Sequence, residues 1–290
     1  MFPFLKAKYK IILATLFVFL SILISVIVMF QPQEKESNSF FGLIRNQETV
    51  QKQPENIDIP TNPPGKLYFL MYHYVEINQD KNDFKRDSLN TPPFVFEQQI
   101  LTLKNAGFKI IKPSQIDEFY NDTSGQKYVI ISFDDGYESF FTQTYPILKK
   151  HQIPAVNYLI SGFTGNLNHM NFSQIQTLVS DNLVEIGSHT VNHLDLTSIT
   201  SDQAKYQIVE SKNYFEKNFN IKITSFCYPY GFYTESLFSI LEDAGYKTAV
   251  TTKQGVFYSN DNKFEIKRIR PGILTGNELI SFLENLPGSK

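Results

Sequence analysis

Hydrophobic residues follow three regimes along the chain. From Ile11 to Phe30 the run is uncharged, interrupted only by the hydroxyls of Thr15, Ser21 and Ser25. At about 1.5 Å per residue a helix over 11–30 spans a hydrocarbon core of ~30 Å, so a transmembrane anchor is predicted there. From 31 to 65 apolar residues give way to Gln, Glu, Asn, Ser and Pro, with Pro54, Pro60, Pro63 and Pro64 breaking any periodic element. That composition predicts a flexible linker. From Lys66 to the end, short apolar or β-branched runs alternate with helical patterns, which is how βα units of a largely parallel sheet read. Strands are predicted at 67–72, 108–111, 128–133, 155–160, 183–187, 224–228 and 248–251. The clearest helix carries Ala204, Ile208, Ser211, Phe215 and Phe219 on one stripe. A second, over 235–244, buries Leu237, Ile240 and Leu241 and stops at Gly245. About seven βα repeats suit an open doubly wound sheet or a deformed (β/α) barrel, and the α/β barrel is preferred. Either architecture gathers chemistry at the carboxyl ends of its strands.

Charge orients the first segment. Lys6, Lys8 and Lys10 precede the apolar run and a mixed Glu34-Lys35-Glu36 follows it. This predicts a cytoplasmic 1–10, an anchor at 11–30, a linker at 31–65 and an extracellular domain at 66–290 held at the cell membrane. A cleaved signal peptide is the rival reading, but Val28-Met29-Phe30-Gln31-Pro32 lacks the small residues a cleavage site needs. A hydrophobic fraction of 42% over 290 residues is ample for one core. The net charge of -2 argues against nucleic acid as a partner, and the single cysteine, Cys227, excludes an internal disulfide.

Two segments carry chemistry. The apolar run before Asp134 delivers two adjacent carboxylates, Asp134 and Asp135, onto Gly136, and His189 and His193 follow another predicted strand. Alone, the first reads as a turn and the second as solvated surface. Together, in a chain of five histidines, an Asp and two His read as a metal set with open positions. Asp134, Asp135, His189 and Tyr230 all fall at or just past predicted strand ends, a placement independent of any motif.

Ser132-Phe-Asp-Asp-Gly136, Ser188-His-Thr-Val-Asn-His193 and Phe226-Cys-Tyr-Pro-Tyr-Gly231 resemble the first three motifs of the polysaccharide deacetylases, carbohydrate esterase family 4. Ile147 to Ala155 resembles that family's passage into the next strand. The resemblance implies a deformed barrel and one divalent metal ion, usually zinc, with Co, Ni or Fe(II) also suited to the ligand set. It implies Asp135, His189 and His193 as metal ligands, Asp134 as general base and the Tyr230 backbone N–H as a donor to the developing oxyanion. Two departures stand out. Cys227 lies where the third motif commonly begins with an Arg that orients the base, and 273–277 lacks the C-terminal His that supplies the acid.

The strand ending at His73 resembles the opening strand of a subgroup that includes deacetylases of poly-β-1,6-N-acetylglucosamine. In a closed barrel His73 can take the place of the missing His as general acid, with a structural cap of the first strand as the other reading. Arg268 or Arg270, at the end of a late strand, can orient Asp134, and Arg268 is favoured. His151 reads as solvated, and His169 as surface, with contact to a sugar as the alternative. Cys227 reads as a small core residue, while Tyr74, Tyr228 and Tyr230 offer stacking faces.

The expected function is metal-dependent N-deacetylation of an extracellular N-acetylglucosamine polymer, chiefly poly-β-1,6-N-acetyl-D-glucosamine, releasing acetate and leaving free amines. Peptidoglycan deacetylation and an inactive glycan-binding module are the alternatives. Expected partners are the polysaccharide, the membrane through the N-terminal helix, and polysaccharide synthesis or export proteins.

Overall fold

A computed structural model describes residues 65–80 and 82–286. The predicted cytoplasmic segment and anchor, and the linker up to residue 64, lie outside the described residues. Among the described residues no helix is long and apolar enough to cross a membrane.

Among the described residues nine strands form one sheet of an α/β fold: β1 Lys66–Tyr72, β2 Lys109–Ile110, β3 Tyr128–Asp135, β4 Ala155–Leu159, β5 Val184–Ser188, β6 Ser225–Cys227, β7 Thr248–Gln254, β8 Phe257–Tyr258 and β9 Ile266–Arg268. Seven of them, in the order β1-β3-β4-β5-β6-β7-β9, pair in parallel. Just past β9 the Ile269 N–H donates to Phe69 O at 2.8 Å, and the Met71 N–H donates to Ile269 O at 2.9 Å. Those two bonds bring the last strand back to the first, so the sheet is a nearly closed barrel.

Alternation along each strand sorts the core into two layers, as a period of two requires. Leu67 and Phe69 of β1, Ile130 of β3, Tyr158 of β4, Cys227 of β6, Val250 of β7 and Ile266 of β9 share one buried cluster that fills the barrel. Tyr68, Leu70, Val129, Ile131 and Phe133 belong to a second cluster, with Ile100, Ile175, Ile208 and Leu241 of the surrounding helices. Fully burying such a side chain stabilises the fold by about 1.5–3 kcal/mol. Tyr158 fits inside only because β5 carries a glycine opposite it: a Cβ on Gly187 would lie 2.3 Å from the Tyr158 ring. The predicted stripe Ala204, Ile208, Ser211, Phe215 and Phe219 is buried along the helix Ser201–Phe219. In the helix Ser236–Asp243, Leu237 and Leu241 are buried and Ile240 only partly so.

One expectation is corrected. The predicted strand at 108–111 is reduced to the two residues of β2, which pair with the start of β3 off the ring. The seventh ring strand is β9, three residues long, whose Lys267 and Arg268 disguise it in a hydrophobicity pattern.

Candidate active site

The carboxyl ends of the ring strands place every residue of the predicted set around one cleft of about 430 Å³, apart from Arg268, which lies beneath it. Asp134 and Asp135 end β3, His73 is the first residue past β1, His189 the first past β5, and Arg268 the last of β9. Asp134 has the parity of Ile130 and Ser132, so its side chain continues the inner face of the barrel. Arg268 has the parity of Ile266 and enters the same space from β9.

There the two meet. Arg268 is fully buried and binds Asp134 as a fork, Nη1 to Oδ1 and Nη2 to Oδ2, both at 2.7 Å. Its Nε–H donates to Thr251 O at 2.8 Å and its Nη1 also to Ser132 Oγ at 3.2 Å. Burial works most strongly on the Asp134 carboxyl and raises it, but the charge and hydrogen bonds of Arg268, with His73 and His189 beside them, together outweigh burial and hold it below the usual range. Arg270, two residues on, is exposed at the cleft wall. The imidazole Nε2 of His73 lies 3.9 Å from Asp134 Oδ2. Burial keeps His73 below its ordinary range, against the pull of the Asp134 and Asp135 carboxylates.

The other half of the site is built from turns. Asp135, Thr190, His193 and Tyr230 all have positive φ, at 73°, 68°, 56° and 60°, a conformation that costs a non-glycine residue energy and marks a constrained segment. His193 N–H donates to Thr190 Oγ1 at 2.9 Å, and the Val191 and Asn192 N–H groups donate to Gln207 Oε1 at 3.0 and 2.9 Å. Gln207, buried on the helix Ser201–Phe219, therefore holds the His189–His193 loop in shape. His189 uses Nδ1 on Cys227 O at 2.7 Å, which turns Nε2 toward Asp135. His189 Nε2 and His193 Nε2 lie 3.4 and 3.5 Å from Asp135 Oδ1.

That carboxylate oxygen is buried and has no hydrogen-bond partner. The three donor atoms lie within 4.8 Å of one another, and Asp135, His189 and His193 form one of two such groups among the described residues. Burial and the nearby His189 hold His193 down to about 4, whereas His189, against its own burial, is raised by Cys227 and Asp135, so of the two only the His193 imidazole is neutral in this state. An unpartnered buried carboxylate oxygen facing two imidazole nitrogens fits a divalent cation.

The cleft walls are aromatic. Tyr137 stacks on Tyr74 with ring centroids 4.0 Å apart, His169 packs against Tyr137 at 5.2 Å and Phe163 at 5.1 Å, and Tyr230 stands edge-on to His193 at 4.7 Å. Tyr230 is half exposed, whereas Tyr228 is buried with its hydroxyl on Phe264 O. His151 differs from its solvated reading: it is half-buried, with Nε2 2.5 Å from Glu97. Sequence reasoning passed over Gln207 and Tyr137 and gave no role to Ser132, which opens the first motif. Tyr137 carried a signal in its position directly after Asp135-Gly136, and Gln207 carried none.

Comparison with known proteins places this geometry in a family. Residues 121–249 match the polysaccharide deacetylase family model. The YxkH protein of Bacillus subtilis is 29% identical over 243 residues, covering 82% of this chain and 84% of the relative. A poly-β-1,6-N-acetyl-D-glucosamine N-deacetylase of Staphylococcus aureus is 28% identical over 240 residues, covering 72% of this chain and 82% of that one. Among solved structures, the Streptococcus pyogenes deacetylase PplD in complex with acetate aligns with a TM-score of 0.69 at 27% identity, covering 78% of this chain and all of that one. IcaB from Ammonifex degensii shares the fold, with a TM-score of 0.64 at 22% identity over 77% of this chain and 97% of that one. The chain thus carries a polysaccharide deacetylase domain, matched over residues 121–249, and is a hydrolase of amide bonds.

Proposed function

We propose that this protein is a metal-dependent deacetylase that removes N-acetyl groups from poly-β-1,6-N-acetyl-D-glucosamine outside the cell, anchored to the membrane by residues 11–30. The observation that carries the catalytic reading is the pairing of a buried, Arg-clamped Asp134 with an adjacent Asp135 that faces two histidines. The substrate reading is supported by the Staphylococcus aureus relative and by the first strand, which leads directly into His73. A divalent ion held by Asp135, His189 and His193, with zinc the first candidate, would act as a Lewis acid toward the acetamide and lower the pKa of the attacking water.

The chain's own groups supply the rest. Asp134, ionised and fixed by Arg268, takes a proton from the water that attacks the acetamide carbon. The Tyr230 backbone N–H, on the turn at Pro229–Gly231, donates to the carbonyl oxygen as it gains charge. The C–N bond breaks only if the nitrogen is protonated, and His73 is the group placed to do it. Burial leaves His73 neutral at rest. The proton it delivers is the one Asp134 takes from the water, handed on across the 3.9 Å between Asp134 Oδ2 and His73 Nε2, a span that one water bridges. The products are acetate and a free amine.

Acetate release by the full chain from the β-1,6 polymer, set beside release from purified peptidoglycan, tests the substrate. Faster release from the polymer is expected. Release from peptidoglycan alone would move the protein to the cell wall.

A further inference from the structure

Cys227 touches both halves of the site. A guanidinium carries five N–H groups, and the structure gives each of those on Arg268 an acceptor. Thr251 O, Ser132 Oγ and the two Asp134 oxygens take four of them. The fifth, on Nη2, points at Cys227 Sγ at 3.3 Å. The thiol is fully buried at the end of β6, and its own hydrogen is directed to Tyr228 O at 3.8 Å. Burial raises its pKa, so it meets the guanidinium as a neutral thiol. The carbonyl of the same residue accepts from His189 Nδ1. One residue therefore seats the partner of the base with its side chain and a histidine of the metal set with its main chain.

We propose that Cys227 is a positioning residue for the base: its thiol seats the Arg268 guanidinium, and through it fixes the Asp134 carboxylate. A core residue chosen for size alone would need only an apolar surface, whereas here the sulfur completes the donor set of a buried cation. A side chain larger than a thiol at this position would enter the space the guanidinium fills. The inference rests on the reading of Asp134 as the base.

A double-mutant cycle in the full chain tests it, with Cys227→Ala and Arg268→Ala singly and together, Cys227→Ser alongside, and turnover and urea unfolding both measured. Cys227→Ala is expected to lower kcat about tenfold at unchanged KM, the order expected when a buried donor loses its acceptor. Cys227→Ser, which restores an acceptor, is expected to stay within about threefold of the parent. In the Arg268→Ala background the Cys227→Ala change should have no further effect. An equal drop in both backgrounds, no drop at all, or a serine variant as slow as the alanine one would overturn the proposal. If the parent chain releases no acetate, the reading of Asp134 as the base fails, and the unfolding midpoints still decide the contact. Midpoints that couple between the two positions support it, and additive midpoints overturn it. Cys227→Ser carries the same cycle should Cys227→Ala not fold.

Discussion

The two aspartates of one Asp-Asp-Gly turn sit in opposite circumstances. Asp134 is clamped by a guanidinium whose every N–H is satisfied by protein atoms. Asp135, one residue later, has a buried oxygen with no hydrogen-bond partner, faced by two imidazole nitrogens at 3.4 and 3.5 Å. The backbone accounts for the split. Asp134 keeps strand geometry and the inward parity of β3, while Asp135 turns over at a φ of 73° and looks out into the cleft. The base half is complete as folded. The other, metal half offers a donor set that fits an ion.

Substitutions at the two halves should therefore fail differently, and the largest effect is expected in the metal half. Asp135→Ala should bring acetate release to the background rate without unfolding the domain, because its carboxylate faces two imidazoles at the cleft rather than a buried guanidinium; circular dichroism beside the activity assay checks both. His73→Ala should cost about 10²–10⁴ in kcat, the usual range for a lost general acid, with metal content unchanged. Arg268→Ala should slow turnover about 10²-fold through a misplaced base. It should also destabilise the fold by about 3–5 kcal/mol, because Asp134 is left as an uncompensated buried charge, and urea unfolding will show it. A stable Arg268→Ala variant would mean that Asp134 is less dependent on its clamp than the geometry says. Gln207→Ala frees two loop N–H groups behind His189 and His193. Metal affinity should fall about 10–100-fold while the Asp134 half is untouched.

The smallest effect lies away from both halves. Glu185, on β5, has one oxygen on the Ser114 N–H at 3.0 Å and the other buried without a partner. Burial raises its pKa. A raised carboxyl contributes stability fully present below its unfolded pKa and lost as pH rises through its folded one. Glu185→Gln should accordingly be the more stable chain at neutral pH, with the gap closing on acidification toward the unfolded value near about 4.3. Urea midpoints across that range read it directly.

The ring was legible in sequence wherever a strand was long and apolar. β1, β3, β4, β5 and β7 follow the hydrophobic pattern, and the strand-end placement of Asp134, Asp135 and His189 follows from it. β9 was visible only as a late strand, because three residues with two charges look like surface until the barrel closes over them. The choice between Arg268 and Arg270 was beyond pattern alone, since both share the parity of Ile266; depth decides, Arg268 lying within the ring and Arg270 past its rim. Gln207 was hidden for the opposite reason: a polar residue beside a buried stripe announces nothing until the loop it caps is seen across from it. Cys227 was legible as buried but not as an acceptor, because its partner arrives from a strand 41 positions away.

The contrast between the halves is tested most directly by zinc stoichiometry on the purified full chain, after chelation and resupply, for the parent, Asp135→Ala and Arg268→Ala. The account predicts one zinc per chain in the parent and in Arg268→Ala, and none in Asp135→Ala. A parent that binds no divalent metal, or an Arg268→Ala variant that folds but loses its zinc with Asp135 intact, would contradict it.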